Sequence, residues 1–259
     1  MKVGLIGAGN MAAALARGWG EPVLCSDSGS GRARALAEEL GGEAAASNYE
    51  LAVNCDVVIL AHKPAQLEAV AREVAPAARA VVSLLARAGL DDLRAAYPGT
   101  PVVRVQPNTP AEVRRGVTLL AEPAEEPLAG QVEELFERVG TVVRLPEAMF
   151  DAAAACSGVG PAYWALVAEG WVDAAVRRGI PAVQAQRLVT ETMAGSAELL
   201  RARGHDTLRL RREVASPGGT TARGLAALER HGVREAFAAA MDDVLGTASW
   251  RSSPTSSPR

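Results

Sequence analysis

The chain has 259 residues, which is enough for one large or two medium domains. Its formal net charge of −3 provides no overall basic field for nucleic acid or for an anionic membrane surface. No run of about 18 apolar residues predicts a membrane span. Neither nucleic acid nor a membrane is therefore an expected partner.

The first part of the chain alternates short apolar runs with helical stretches. Runs that are apolar throughout, such as Val57–Leu60, are typical of parallel strands covered on both faces. The pattern therefore predicts a doubly wound α/β domain. The predicted strands are 2–6, 23–26, 57–60, 80–84 and 102–105, with a weaker one near 43–45, and the predicted helices between them are 11–18, 32–40, 65–74 and 90–96. Runs 116–120 and 141–145, which flank a predicted helix at 131–139, are expected to extend the sheet.

The pattern changes at Pro146, after which helices are predicted at 161–178, 181–203, 220–230 and 233–246. Pro161 and Pro181 suit first-turn positions, and a glycine follows each of the first two helices. Long helices with apolar stripes usually need a partner, so we expect a helix-mediated homodimer, with packing on the first domain as the alternative. The predicted domains are 1–146 (dinucleotide-binding), 147–250 (helical) and 251–259 (a low-complexity, disordered tail).

The three cysteines, Cys25, Cys55 and Cys156, are too widely spaced for a disulfide framework or a CxxC metal site. The three histidines are also scattered, and no metal-binding spacing such as HExxH occurs. The N-terminus enters a strand pattern at once, without a cleavable signal. These features predict a cytoplasmic protein without a metal site.

A glycine-rich turn directly follows the first predicted strand. Gly7 permits a tight turn, Gly9 lets the backbone approach a pyrophosphate, and Ala12 allows close packing of helix on strand. The amides of the following helix, which begins near Asn10 and Met11, would face the phosphates. This segment predicts a dinucleotide site; the alternative is a tight structural turn.

The end of the second strand gives two conflicting indications about the cofactor. Asp27 lies 20 residues after Gly7, where an acid would bind the ribose 2′-hydroxyl of NADH. The polar loop around it, with Ser28, Ser30 and Arg32, is also suited to the 2′-phosphate of NADPH. A solvated loop without a role in specificity is the third possibility.

Two later segments follow strands at the same edge of the sheet, where ligands bind in such folds. Lys63 and Pro64 follow the strand at 57–60, and Lys63 suits a phosphate or the nicotinamide pocket; catalytic duty for the adjacent His62 is not expected. Asn108 lies in a Pro-bracketed turn after the strand at 102–105. Its amide suits either a cofactor carboxamide or support of the loop.

A second anion-binding turn, Ser216 to Thr221, precedes a predicted helix. Gly218 and Gly219 lie between the hydroxyl of Ser216 and those of Thr220 and Thr221. Free amides and the helix dipole would attract a small carboxylate. A threonine that merely caps the helix explains one hydroxyl and not the whole loop.

In this order, the motifs resemble those of the pyrroline-5-carboxylate reductase family from residue 1 to about 248. The final loop is the specific motif, whereas the first turn occurs in many dehydrogenases. The matching segments are Gly7 to Met11, Lys63-Pro64, Arg104-Val105-Gln106-Pro107-Asn108-Thr109-Pro110, Ser157-Gly158-Val159-Gly160-Pro161-Ala162-Tyr163 and Ser216 to Thr221. Three departures occur: Gln106 replaces methionine, Val159 replaces serine, and Leu84 to Gly89 replaces a less charged segment.

The resemblance implies a Rossmann domain joined to a helical domain that interlocks two subunits, with rings of dimers as larger assemblies. It implies reduction of pyrroline-5-carboxylate to L-proline by NADPH or NADH. Gly218, Gly219 and Thr220 would hold the substrate carboxylate through backbone amides, and the Thr221 hydroxyl would lie near the ring nitrogen. Alternatives are a reductase of a related cyclic imine and a non-catalytic nucleotide-binding relative. A β-hydroxyacid dehydrogenase is disfavoured because no lysine occurs after Lys63.

Overall fold

The computed structural model describes residues 1–246, and the predicted tail at 251–259 lies outside them. The described chain forms one sheet of eight strands in the order β3-β2-β1-β4-β5-β6-β7-β8. The first six are parallel in the order 3-2-1-4-5-6 of a dinucleotide-binding fold. The strands are β1 Val3–Ile6, β2 Leu24–Ser26, β3 Glu43–Ala44, β4 Val57–Leu60, β5 Val81–Ser83, β6 Val102–Gln106, β7 Gly116–Glu122 and β8 Gly140–Pro146.

The last two strands extend the sheet, as predicted, but with a change of direction. β7 runs antiparallel to β6, and β8 runs parallel to β7. The helices that accompany the sheet are α1 Asn10–Trp19, α2 Arg32–Leu40, α3 Asn48–Val53, α4 Leu67–Val74, α5 Leu90–Ala96, α6 Leu128–Glu137 and α7 Phe150–Ser157, with 3₁₀ turns at Pro64–Gln66, Thr109–Val113 and Glu147–Met149.

Both faces of the sheet are covered, which explains the uniformly apolar strands. Leu5 and Ile59 pack into the core on one face. Ile6, Val58 and Leu60 pack into the core on the other. Successive side chains of a strand point to opposite faces, so a strand such as Val57–Leu60 that is buried on both sides is apolar at every position.

The chain divides into two compact units, Met1–Pro161 and Ala162–Arg259. The sheet ends at Pro146, but Phe150 of α7 is fully buried against Leu90, Leu119 and Ala121 of the first unit. The first unit therefore continues past the change of pattern at Pro146, because α7 closes the end of the sheet.

The second unit is helical throughout its described part. Its helices are α8 Gly160–Val176, which begins just before the unit, α9 Ala182–Ala202, α10 Thr207–Val214, α11 Thr220–Arg230 and α12 Val233–Leu245. The sequence patterns predicted the other four but not α10, which is only eight residues long and strongly charged. Among the described residues, no helix is long and apolar enough to cross a membrane.

The helices of the second unit have almost no core of their own. Among its described apolar residues, only Ala185 and Val189 are buried. Trp164, Leu166 and Val183 are 60%, 68% and 75% exposed. Apolar faces of this extent are typical of surfaces that bind a protein partner.

A buried arginine ties several segments of the first unit together. The Arg104 side chain on β6 is 5% exposed, and its Nη1 lies 2.9 Å from Glu147 Oε1. The same carboxylate oxygen accepts the backbone N–H of Leu90 at 2.6 Å. The guanidinium carbon lies 4.2 Å from the ring centroid of Phe150. Arg104 thus holds the start of α5 and the segment before α7 against the sheet.

We predict that Arg104→Met lowers the free energy of unfolding of the first unit by about 3 kcal/mol, because it removes the cation and leaves the Glu147 carboxylate unpaired. Urea denaturation measures this change. Asp151→Asn is the control, since Asp151 is 78% exposed and lies 3.5 Å from Arg104 Nη2; it should cost less than about 1 kcal/mol. Equal losses for both variants would contradict the assignment.

Candidate functional site

A cleft of about 890 Å³ lies at the carboxyl edge of the parallel strands. This volume is in the range of small-molecule and cofactor sites. The loops that follow β1, β2, β3, β4 and β5 line it. Six of the eight predicted cofactor residues belong to its wall: Gly7, Gly9, Met11, Asp27, Lys63 and Pro64. Asn10 lies in an adjoining depression between α1 and α2.

Gly7 is required by its conformation and by its surroundings. Its φ is +100°, and a Cβ there would lie 2.7 Å from the Ala61 carbonyl and 2.8 Å from the His62 nitrogen. The backbone at the end of β1 therefore touches the backbone at the end of β4. Only glycine fits this turn without displacing main chain.

Gly9 has a different role, because a Cβ there would meet no atom within 4 Å. It is the N-cap of α1, and no side chain caps this helix end. The first amides of α1 are thus available to an anion, in line with the helix dipole. A pyrophosphate fits this turn, because backbone donors face open space that a side chain at residue 9 would fill.

Asp27 organises its own loop with both carboxylate oxygens. Oδ1 accepts the N–H of Gly29 at 2.8 Å, and Oδ2 accepts Ser30 Oγ at 2.6 Å and the N–H of Ala33 at 2.9 Å. The hydrogen bond from Ser30 and that from the Ala33 amide lower the pKa of Asp27 to about 2. The carboxylate is therefore charged at physiological pH and fixes the shape of the loop that carries Ser28 and Arg32.

Lys63 and Pro64 stand where β4 opens into the 3₁₀ turn. Lys63 is exposed and is the N-cap of that turn, with Pro64 at its first position. His62 Nδ1 lies 2.9 Å from the carbonyl oxygen of Lys63. Burial lowers the pKa of His62, so the ring is neutral at neutral pH. Of these two neighbouring residues, Lys63 and not His62 therefore provides a positive charge at the end of β4.

Asn108 is the predicted cofactor residue that the structure assigns to loop support. It is 8% exposed. Its Oδ1 accepts the N–H of Val117 at 2.8 Å, and its Nδ2 donates to the carbonyl of Ser157 at 3.0 Å. Both halves of the amide bind the main chain, so Asn108 connects the end of β6 to β7 and α7; its contact with a cofactor group stays a prediction.

The loop before α11 is a tight turn that ends in an open helix N-terminus. Gly219 N–H donates to the Ser216 carbonyl at 3.0 Å, and Gly218 has a φ of +70°. Proline and then glycine at the central positions are typical of a type II turn. Gly219 is the N-cap of α11, without a side-chain cap, so neither Thr220 nor Thr221 serves as one. The Gly219 amide closes the turn, which corrects the expectation that it also binds a carboxylate.

Sequence patterns missed the part of the cleft after β3. Ala46, Ser47 and Asn48 line it, as do Gln66 and Glu73. Asn48 Oδ1 accepts Ser26 Oγ at 2.7 Å, and Asn48 Nδ2 donates to Glu73 Oε2 at 2.8 Å. For Ala46, Ser47 and Asn48, the strand order is the only feature that indicates a place in the cleft, because it puts the residues after β3 beside those after β2.

Comparisons with known proteins bear on both units. Residues 147–249 match a family model for pyrroline-5-carboxylate reductase dimerisation, and residues 2–87 match a model for coenzyme F420-dependent NADP oxidoreductases. The chain is 36% identical to a pyrroline-5-carboxylate reductase of Pseudomonas aeruginosa, over 97% of this chain and 95% of that one. The chain belongs to the pyrroline-5-carboxylate reductase family.

Solved structures of the family agree with this membership. The reductase of Streptococcus pyogenes superimposes with a TM-score of 0.84 at 31% identity, covering 95% of this chain and 96% of that one. A Plasmodium falciparum relative, whose structure has NADP bound, gives 0.83 at 27% identity, covering 94% and 95%. The matched dimerisation model and the exposed helix faces together support a homo-oligomer.

Replacement by alanine should have different effects at Gly7 and at Gly9. Gly7→Ala should destabilise the fold by about 2 kcal/mol or more, because its methyl group meets main chain of β4. Gly9→Ala should fold normally but raise the Kd for NADPH about tenfold, because its methyl group occupies the space that a pyrophosphate needs. Thermal unfolding and NADPH fluorescence titration measure the two effects. Unchanged NADPH affinity in Gly9→Ala would rule out this turn as the phosphate site.

Proposed function

We propose that this chain reduces 1-pyrroline-5-carboxylate to L-proline with NADPH or NADH, the last step of proline biosynthesis. The observation that carries the proposal is the open turn from Ser216 to Thr221, which suits a small carboxylate, in a family member whose first unit has a dinucleotide cleft. The bound nicotinamide supplies a hydride for the C=N carbon of the substrate.

The residues of the chain act by binding and orientation. The amides of Gly218 and Thr220 hold the substrate carboxylate, and the Gly218–Gly219 turn, closed on Ser216, sets their direction. The Thr221 hydroxyl hydrogen-bonds the ring nitrogen and helps to place a proton there. Fixing the imine supplies most of the acceleration, because the turn itself contains no strong acid or base.

The cofactor is held by the first unit. The amides of Asn10 and Met11 bind the pyrophosphate beside Gly7 and Gly9, and Lys63 and Pro64 border the nicotinamide end of the cleft.

The working assembly is a homodimer or a ring of dimers built through the helical unit. We place the enzyme in the reducing cytoplasm, in line with the free thiols of Cys25, Cys55 and Cys156.

The activity and the role of Thr221 are tested together. Purified protein should oxidise NAD(P)H only when pyrroline-5-carboxylate is added, with proline as the product. Thr221→Ala should lower kcat about a hundredfold, as expected for loss of a proton-placing group, with the Kd for NADPH unchanged. Thr221→Ser, the matched control, should retain most of the activity. Full activity in Thr221→Ala would remove the assigned role, and wild-type protein that binds NADPH without turnover would contradict the proposed reaction.

Cofactor preference is tested at Asp27. Asp27→Asn removes a negative charge near the ribose while keeping the size of the side chain, so it should shift the kcat/KM ratio several-fold toward NADPH, on the order of 1 kcal/mol. Glu38→Gln is the control, because it removes an equal charge from an exposed position of α2. If the ratio of kcat/KM for NADPH to kcat/KM for NADH changes equally in both variants, or in neither, Asp27 does not contribute to recognition of the ribose.

A further inference from the structure

The loop after β5 carries an arginine directly after residues that line the cofactor cleft. Leu84, Leu85 and Ala86 line the cleft, and Arg87 follows them as an exposed residue. This loop is firmly held at both ends. Leu84 N–H donates to the Leu60 carbonyl at 3.0 Å, and the N–H of Leu90 donates to Glu147 at 2.6 Å. The backbone position of Arg87 is therefore fixed beside the cleft wall.

Arg87 has a left-handed backbone with φ of +63°. This conformation is unfavourable for a residue with a side chain, and glycine or asparagine adopts it more easily. Arg114 has a similar φ of +58°, but its Nε donates to the Gly18 carbonyl at 2.8 Å. Within residues 1–246, the Arg87 guanidinium has no such hydrogen bond or ion pair. Its charge is thus available to a ligand.

Arg87 extends a row of positive groups along the carboxyl edge of the sheet. In the strand order β2-β1-β4-β5, these groups are Arg32 after β2, the N-terminus of α1 after β1, Lys63 after β4 and Arg87 after β5. Neighbouring strands lie about 4.8 Å apart. Arg87 therefore stands about two strands beyond the α1 turn and three beyond the Asp27 loop, which places it far from the 2′ position of the ribose.

We infer that Arg87 is an additional anion-binding residue of this cleft, which contacts a carboxylate or phosphate oxygen of the bound ligands at the β5 end. The inference rests on the proposed function. A carboxylate would come from the substrate, and a phosphate oxygen would come from the cofactor pyrophosphate. A guanidinium binds both groups through charge-assisted hydrogen bonds.

Variants of Arg87 separate charge from backbone conformation. Arg87→Asn tolerates the left-handed backbone but lacks the charge, Arg87→Gly removes the side chain, and Arg87→Lys keeps the charge. Arg79→Gln is the matched control, because exposed Arg79 precedes the same strand at the opposite edge of the sheet and carries an equal charge. The Kd of NADPH alone, the KM for pyrroline-5-carboxylate and the thermal unfolding midpoint are measured for each variant.

We expect Arg87→Asn and Arg87→Gly to weaken one ligand about three- to tenfold, as expected for one exposed charge-assisted contact, without a fall in the unfolding midpoint. A rise in KM alone identifies the substrate carboxylate, whereas a rise in the Kd of NADPH identifies the pyrophosphate. Arg87→Lys should restore most of the affinity, and the difference in affinity between the wild-type protein and the two uncharged variants should shrink at high salt.

Unchanged Kd and KM in both Arg87→Asn and Arg87→Gly, or an equal change in Arg79→Gln, would overturn the inference. Wild-type protein without turnover would count against the proposed reaction, while the Kd of NADPH would still test the phosphate contact.

Discussion

The close approach of two backbones, at the ends of β1 and β4, is the constraint on which the site depends. At Gly7 the main chain of the first turn lies against Ala61 and His62, at a distance that excludes any side chain. This contact brings the α1 N-terminus and Lys63 to one edge of the sheet. The parallel order of the strands then adds the loops after β2, β3 and β5 to the same edge. The cleft is therefore a consequence of strand order and of one glycine.

The two units differ in how much apolar surface each buries within one chain. The first has a sheet that is buried on both faces and is stabilised internally by Arg104 and Glu147. The second buries only Ala185 and Val189 among its described apolar residues, so its helices lack a core within one chain. Burial of these faces in a homo-oligomer would supply that core. The stability of the helical unit would then depend on protein concentration.

Much of the fold follows from patterns that the sequence shows directly. Val57–Leu60 is apolar throughout because both of its faces are covered, and the glycines after β1 mark the turn that the structure contains. The helices that were missed are short: α3 has six residues and begins at Asn48, and α7 and α10 have eight residues each, of which half are charged in α10. Tertiary contacts rather than a periodic pattern fix elements of this length.

The candidate site was predictable where a backbone conformation demands a residue type, and less so where a side chain has two uses. The amide of Asn108 suits a cofactor or a loop equally well in the sequence, and only the structure reveals its hydrogen bonds to Val117 and Ser157. The Gly219 N–H is likewise occupied by its hydrogen bond to the Ser216 carbonyl. Such partners are distant in sequence or depend on turn geometry, so residue type alone does not reveal them.

The fate of hydrogen during turnover tests the proposed hydride transfer most directly. The wild-type protein is supplied with pyrroline-5-carboxylate and NADPH labelled with deuterium at the transferable position of the nicotinamide, and the proline formed is examined by NMR and mass spectrometry. We predict proline with a single deuterium on the ring carbon that was double-bonded to nitrogen. Proline without deuterium at that carbon, or no proline from protein that binds NADPH, would contradict it.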